Sequence, residues 1–131
     1  MVTYKNCLLT FGGLGACSFN DVHEFPIYGN KWKKVEIKSF DYDKPNPRYG
    51  HSMVLYKDLL VIYGGAGNYI DKLKVHESYG DIRFYNIISQ EWEPSRVDQT
   101  PSKLAAPKSQ FHQAGTFGCM MLIHGGMFSE Q

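Results

Sequence analysis

The sequence predicts an all-β fold built of antiparallel four-stranded units that repeat along the chain and stack side by side. Three observations carry that expectation. The run Leu59-Leu60-Val61-Ile62-Tyr63 is apolar and ends in Gly64-Gly65, the pattern of a strand buried on both faces and stopped by a turn that a Cβ would obstruct. The pattern recurs: residues 1–13 align without a gap on 53–65 and end in Gly12-Gly13, and residues 114–126 repeat it more loosely and end in Gly125-Gly126. The spacings also recur. Asp21 to Trp32 and Asp81 to Trp92 are both eleven residues, and His51 to Gly64 and His112 to Gly125 are both thirteen. A period of about 50–60 residues with length variation confined to loops is the signature of a repeat architecture.

In chain order, residues 3–11 read as a strand or a tight hairpin turning at Lys5-Asn6 and closed by Gly12-Gly13. A small polar loop, 14–20, leads to Asp21 and a strand over 22–27. The tetrapeptide Tyr28-Gly29-Asn30-Lys31 has turn residues. Residues 32–37 alternate apolar and charged, as a half-exposed outer strand does. Residues 38–48 carry Pro45 and Pro47 and read as a loop. Residues 50–56 and Leu59–Tyr63 form the second inner hairpin across Lys57-Asp58. The loop 66–80 is about eight residues longer than its counterpart. Asp81 opens a strand over 82–85, and Trp92 starts an outer one. Residues 97–107 are polar and proline-bearing, and 111–117 with 119–124 make the third inner hairpin. Four strands per unit, and no helical pattern, fit the blades of a β-propeller. The expected blades are 1–37, 48–97 and a half blade at 109–126, together one domain.

The bulk composition narrows the function. Of 131 residues 43% are apolar, enough for a core, and 15% are aromatic, which leans towards strands. A net charge of +1 gives no basic footprint for nucleic acid. No apolar run approaches the roughly 20 residues that cross a bilayer. Three cysteines at unrelated spacings argue against a disulfide framework and for a reducing, cytoplasmic compartment.

The order Arg48-x-x-His51, apolar strand, Gly64-Gly65, Asp81, Tyr85 and Trp92 resembles the kelch repeat, and the resemblance covers essentially the whole chain. Phe25 stands where Tyr85 does, Pro26 where the family often has Asp, and Ser109 where Arg48 does. The resemblance implies a kelch-type β-propeller of about two and a half blades, with Trp32 and Trp92 between neighbouring blades. Propellers close with about four to eight blades, so a piece of a longer propeller is expected, of roughly 300 residues at six blades. A ring completed by other chains, or a product that cannot close, are the alternatives.

His51 and His112 recur at equivalent positions, which favours a packing role over a ligand or base. Arg48 is expected to pair with a carboxylate or carbonyls, and Asp21 and Asp81 to accept backbone N–H bonds. Cys7, Cys17, His23, His76, Cys119 and His124 show no metal-ligand spacing. No Cys/His or Ser/His grouping stands out, and Gly64-Gly65-Ala66-Gly67 lacks the Lys-Ser/Thr of a phosphate loop. No cofactor and no metal are expected. Antiparallel blades put the 2–3 and 4–1 connections on one face. There 66–80 contributes Tyr69, Ile70, His76 and Tyr79, and 38–48 contributes Tyr42 and Arg48. The expected function is a protein-interaction scaffold or substrate-recognition domain gripping a protein or peptide on that face. The alternative is an enzymatic propeller with a metal or small substrate in its axial channel.

Overall fold

The computed structural model describes residues 1–94 and 106–128, and among them the only regular element besides strands is a single 3-10 turn at Asp41–Asp43. Strands β1 (Val2–Tyr4), β2 (Cys7–Leu14), β3 (Ser18–Pro26) and β4 (Lys33–Lys34) pair in chain order as one antiparallel sheet. Strands β5 (Ser52–Tyr56) and β6 (Leu59–Tyr63) begin a second sheet. The chain then leaves it to form a hairpin, β7 (Ala66–Ile70) and β8 (Val75–Ser78). It returns as β9 (Ile82–Asn86) and β10 (Glu91–Trp92), giving the order β10-β9-β6-β5. The last described stretch holds β11 (Ser109–Gln110), β12 (Gln113–Phe117), β13 (Met120–His124) and β14 (Met127–Phe128), with β12 on β13 and β11 on β14.

The three inner hairpins turn in two residues. Lys5, Lys57 and Gly118 sit at φ 49°, 53° and 58° at equivalent turn positions, the left-handed backbone that matches the twist of a tight hairpin. The first glycine pair does not end its strand. β2 runs through it to Leu14 with an irregular register between Phe11 and Gly13, and β3 starts at Ser18, ahead of Asp21. The outer strand expected over 32–37 shrinks to two residues, although Val35 still donates its N–H to the Val22 carbonyl at 2.9 Å. The long segment 66–80, read from sequence as a loop, is largely the β7–β8 hairpin. Of the loop expected over 97–107, residues 97–105 lie outside the described residues, as does the expected end of the second blade.

The core lies between the first two sheets. Leu9, Phe11, Val22 and Val35 of the first meet Leu60, Ile62, Tyr85 and Trp92 of the second. Trp92 is 3% exposed and its ring stands 5.1 Å from both Phe11 and Tyr85. It fills the space between blades that the resemblance assigns to it. Trp32 does not: it is 50% exposed and touches Phe25 of its own sheet at 5.3 Å. The physical reason is directional. Trp92 reaches back onto the sheet before its own, and among the described residues no sheet stands in that place for Trp32. Truncating a large buried aromatic costs about 3–5 kcal/mol, so Trp92→Ala should lower the urea midpoint strongly, whereas Trp32→Ala should cost about 1 kcal/mol or less.

Candidate functional site

The first two glycine pairs are each clasped by the unit that follows. Gly12, Gly64 and Gly125 have φ of 63°, 69° and 71°, and a Cβ on Gly12 would lie 2.6 Å from the Arg48 carbonyl oxygen. On Gly64 it would overlap the Ser109 carbonyl. The close approach makes hydrogen bonds: Gly13 N–H donates to the Arg48 carbonyl at 2.9 Å and Gly65 N–H to the Ser109 carbonyl at 2.7 Å. The histidines cover the same spots. His51 stacks edge-on against Phe11 at 5.2 Å, and His112 lies 4.9 Å from the Tyr63 ring.

Arg48 is 1% exposed. Its guanidinium donates to both Asp81 carboxylate oxygens at 2.6 and 3.0 Å, to the Gly64 carbonyl at 3.1 Å and, through Nε, to the Asn46 carbonyl at 3.1 Å. The Tyr79 ring caps it at 4.2 Å. Arg48 is therefore withdrawn from any partner, which corrects its place among the partner-binding candidates. Tyr79 is half-buried and donates its hydroxyl to Glu77 Oε2 at 2.6 Å; burial and that carboxylate push its pKa up to about 12. Asp81 is held by the arginine fork, and Asp21 lies 3.7 Å from Lys34 Nζ and 3.8 Å from His23 Nε2. Neither accepts a backbone N–H among the described residues, contrary to expectation, because charged donors reach them instead.

The other candidates stay accessible. Tyr42, in the 3-10 turn, is exposed and stacks flat on Phe40 at 5.3 Å. Ile70 closes the β7–β8 hairpin opposite Val75. Tyr69 is 48% exposed and meets the His76 ring edge-on at 5.2 Å. His76 Nδ1 lies 3.2 Å from the Gly67 carbonyl and 3.3 Å from the Tyr49 hydroxyl. The structure adds two residues that the sequence reading missed. Tyr49 stands 6.1 Å from His76 and 6.0 Å from Phe111, so Phe111, Tyr49, His76 and Tyr69 form one aromatic strip. Phe111 occupies the position of Gly50 in the preceding unit. It is 55% exposed at φ 57°, where glycine has φ 64°. A bulky side chain in left-handed backbone is a strained choice. Aligning Gly50 with Phe111 is the signal that finds it.

His112 Nε2 lies 2.7 Å from Ser52 Oγ and its Nδ1 3.1 Å from Ser109 Oγ, but all three side chains are buried. No group of three or more His, Cys, Asp or Glu could hold a metal among the described residues. No described helix is long and apolar enough to cross a membrane.

The family model of the KLHDC2/KLHL20/DRC7 Kelch-repeats domain matches residues 1–131. The chain belongs to this kelch-repeat family, whose domains are generally protein-interaction modules. It is similar to "Protein ral2" of Schizosaccharomyces pombe, with 32% identity over 95 residues, covering 70% of this chain and 15% of that protein. It is equally similar to "Kelch repeat-containing protein 2" of Saccharomyces cerevisiae, with 32% identity over 144 residues, covering 99% of this chain and 15% of the relative. The chain thus spans about 15% of the length of these two relatives.

Burial, and secondarily the Arg48 cation, pull the His51 pKa down from 6.5 to about 4. Burial also lowers that of His112. A group depressed on folding binds its proton first in the unfolded chain, so stability is full above the unfolded value and falls with pH below it. Between pH 6.5 and 4, His51 should remove up to about 3 kcal/mol. Urea midpoints at pH 7.5 and 4.5 should show the loss, and His51→Gln should flatten the profile.

Proposed function

We propose that this chain is a recognition module that grips a protein or peptide on the face carrying the β7–β8 hairpin and segment 38–48, and performs no catalysis itself. The observation that carries the reading is the strip Phe111–Tyr49–His76–Tyr69, aromatic rings held at 5–6 Å from one another outside the core. Rigid, amphipathic aromatics at low entropic cost are what protein-binding surfaces concentrate. The strain at Phe111 supports it, because backbone cost without burial calls for a reason beyond packing. A groove of about 280 Å³ lined by Ile70, Leu73, Val75, His76 and Tyr79 runs beside the strip and gives an anchoring side chain room. The buried Ser52–His112 contact is consistent with a domain that binds and does not react. The free thiols of Cys7, Cys17 and Cys119 fit a reducing, cytoplasmic setting.

The test compares affinity capture by the wild-type chain with capture by Tyr69→Ala and Phe111→Gly. Both variants should lose the wild-type's bound proteins by about tenfold or more, the loss expected of interface aromatics. Both should keep the wild-type melting temperature, and Phe111→Gly should match or exceed it, because glycine relieves the left-handed backbone. Tyr79→Ala should instead lower the melting temperature by uncapping Arg48. Unchanged capture by both strip variants would overturn the reading.

A further inference from the structure

The β7–β8 hairpin forms a two-stranded sheet of its own among the described residues, and its two edges differ. β7 is bridged to Tyr49 at Ala66, and it carries an extra residue between Ala66 and Tyr69 that breaks its register with β8. An irregularity of that kind spoils an edge as a template for another strand. β8 has no such guard. Among the described residues no third strand pairs with it, and Ser109 meets the chain only past its end, donating its N–H to the Tyr79 carbonyl at 3.2 Å.

Alternation along β8 sends its side chains to two places. His76 joins Tyr69 and Tyr49 in the aromatic strip. Val75, Glu77 and, just beyond, Tyr79 line the groove with Ile70 and Leu73. Glu77 is half-buried, and its Oε2 accepts the Tyr79 hydroxyl at 2.6 Å. Asp21, Asp41 and Asp81 each face a lysine or arginine, whereas no ion pair engages Glu77 among the described residues. Lys108 lines the same groove without forming one. A carboxylate drawn partly out of water without a cation is an incomplete site.

We propose that an extended peptide segment adds to the free edge of β8 as a third strand, with an apolar side chain among Ile70, Leu73 and Val75 and a lysine or arginine two positions away on Glu77. Val75 and Glu77 are themselves two apart, so strand pairing imposes the same interval on the peptide. Backbone hydrogen bonds supply the affinity, and the alternate side-chain positions supply the selectivity. The residue between them faces the strip and meets His76. The proposal rests on the reading that this face grips a partner, and it adds the partner's conformation and pattern.

The test selects short random peptides, displayed on phage, on the immobilised chain. Enriched peptides should carry Lys or Arg two positions from an apolar residue. In one such peptide, N-methylation of alternate backbone amides should weaken binding by about tenfold, and N-methylation of the amides between them should not. Glu77→Gln keeps an acceptor for the Tyr79 hydroxyl, so the melting temperature should hold. It should weaken the enriched peptide by about tenfold and leave a version with methionine in place of the basic residue unaffected. No enrichment over a blank surface, enrichment without the basic residue, or indifference to N-methylation or to Glu77→Gln would overturn the proposal. Protein capture by Tyr69→Ala and Phe111→Gly reads the proposed function separately: capture that still depends on those side chains leaves the strip standing while the added strand falls.

Discussion

Everything in this molecule rests on backbone meeting backbone at the glycine pairs. Where the Arg48 and Ser109 carbonyls come within hydrogen-bond reach of Gly13 and Gly65, there is no room for a side chain on Gly12 or Gly64. That close approach sets the distance between successive sheets. The distance in turn decides which side chains fit further out, where Phe11, Tyr85 and Trp92 close the gap with edge-on and tilted contacts. A bulkier residue at the clasp would separate the sheets, and the aromatic core would lose contact with them.

Buried polarity makes the arrangement specific. Arg48 satisfies its guanidinium on Asp81, Gly64 and Asn46. A buried charge is tolerable only with such complete pairing. The histidine of each following unit lies neutral over an aromatic of the preceding sheet, and burial is what keeps it neutral. A unit docked out of register would strand an arginine and a histidine in an apolar setting. The polar groups therefore select one stacking, while the apolar groups supply most of the driving force.

Much of the fold was legible in the sequence because its signals are local. Apolar runs, two-residue turns at Lys5-Asn6 and Lys57-Asp58, and terminal glycine pairs each declare themselves within a dozen residues. The site was legible only in part. Tyr69 and His76 stood out in an insertion, and they remain on the surface. Arg48 looked equally available by composition, but its fate is decided by Asp81, thirty-three residues on. Tyr49 and Phe111 meet across sixty-two residues, and neither lies in a segment whose length or composition marks it. Trp32 and Trp92 share one sequence context, and only the neighbouring sheet distinguishes a buried indole from an open one. The β7–β8 hairpin escaped notice because its strands are polar and short, without the alternation that reveals a strand.

The clasp also has a consequence for how the chain comes apart. Each link joins only adjacent units, so among the described residues neighbours hold neighbours. The first two sheets share a closed core, whereas the β12–β13 hairpin keeps most of its side chains in water. Its amides will exchange with solvent through local opening, long before those of β2, β6 and β9. Breathing of that hairpin is the stage at which the described residues are most open to proteases and chaperones.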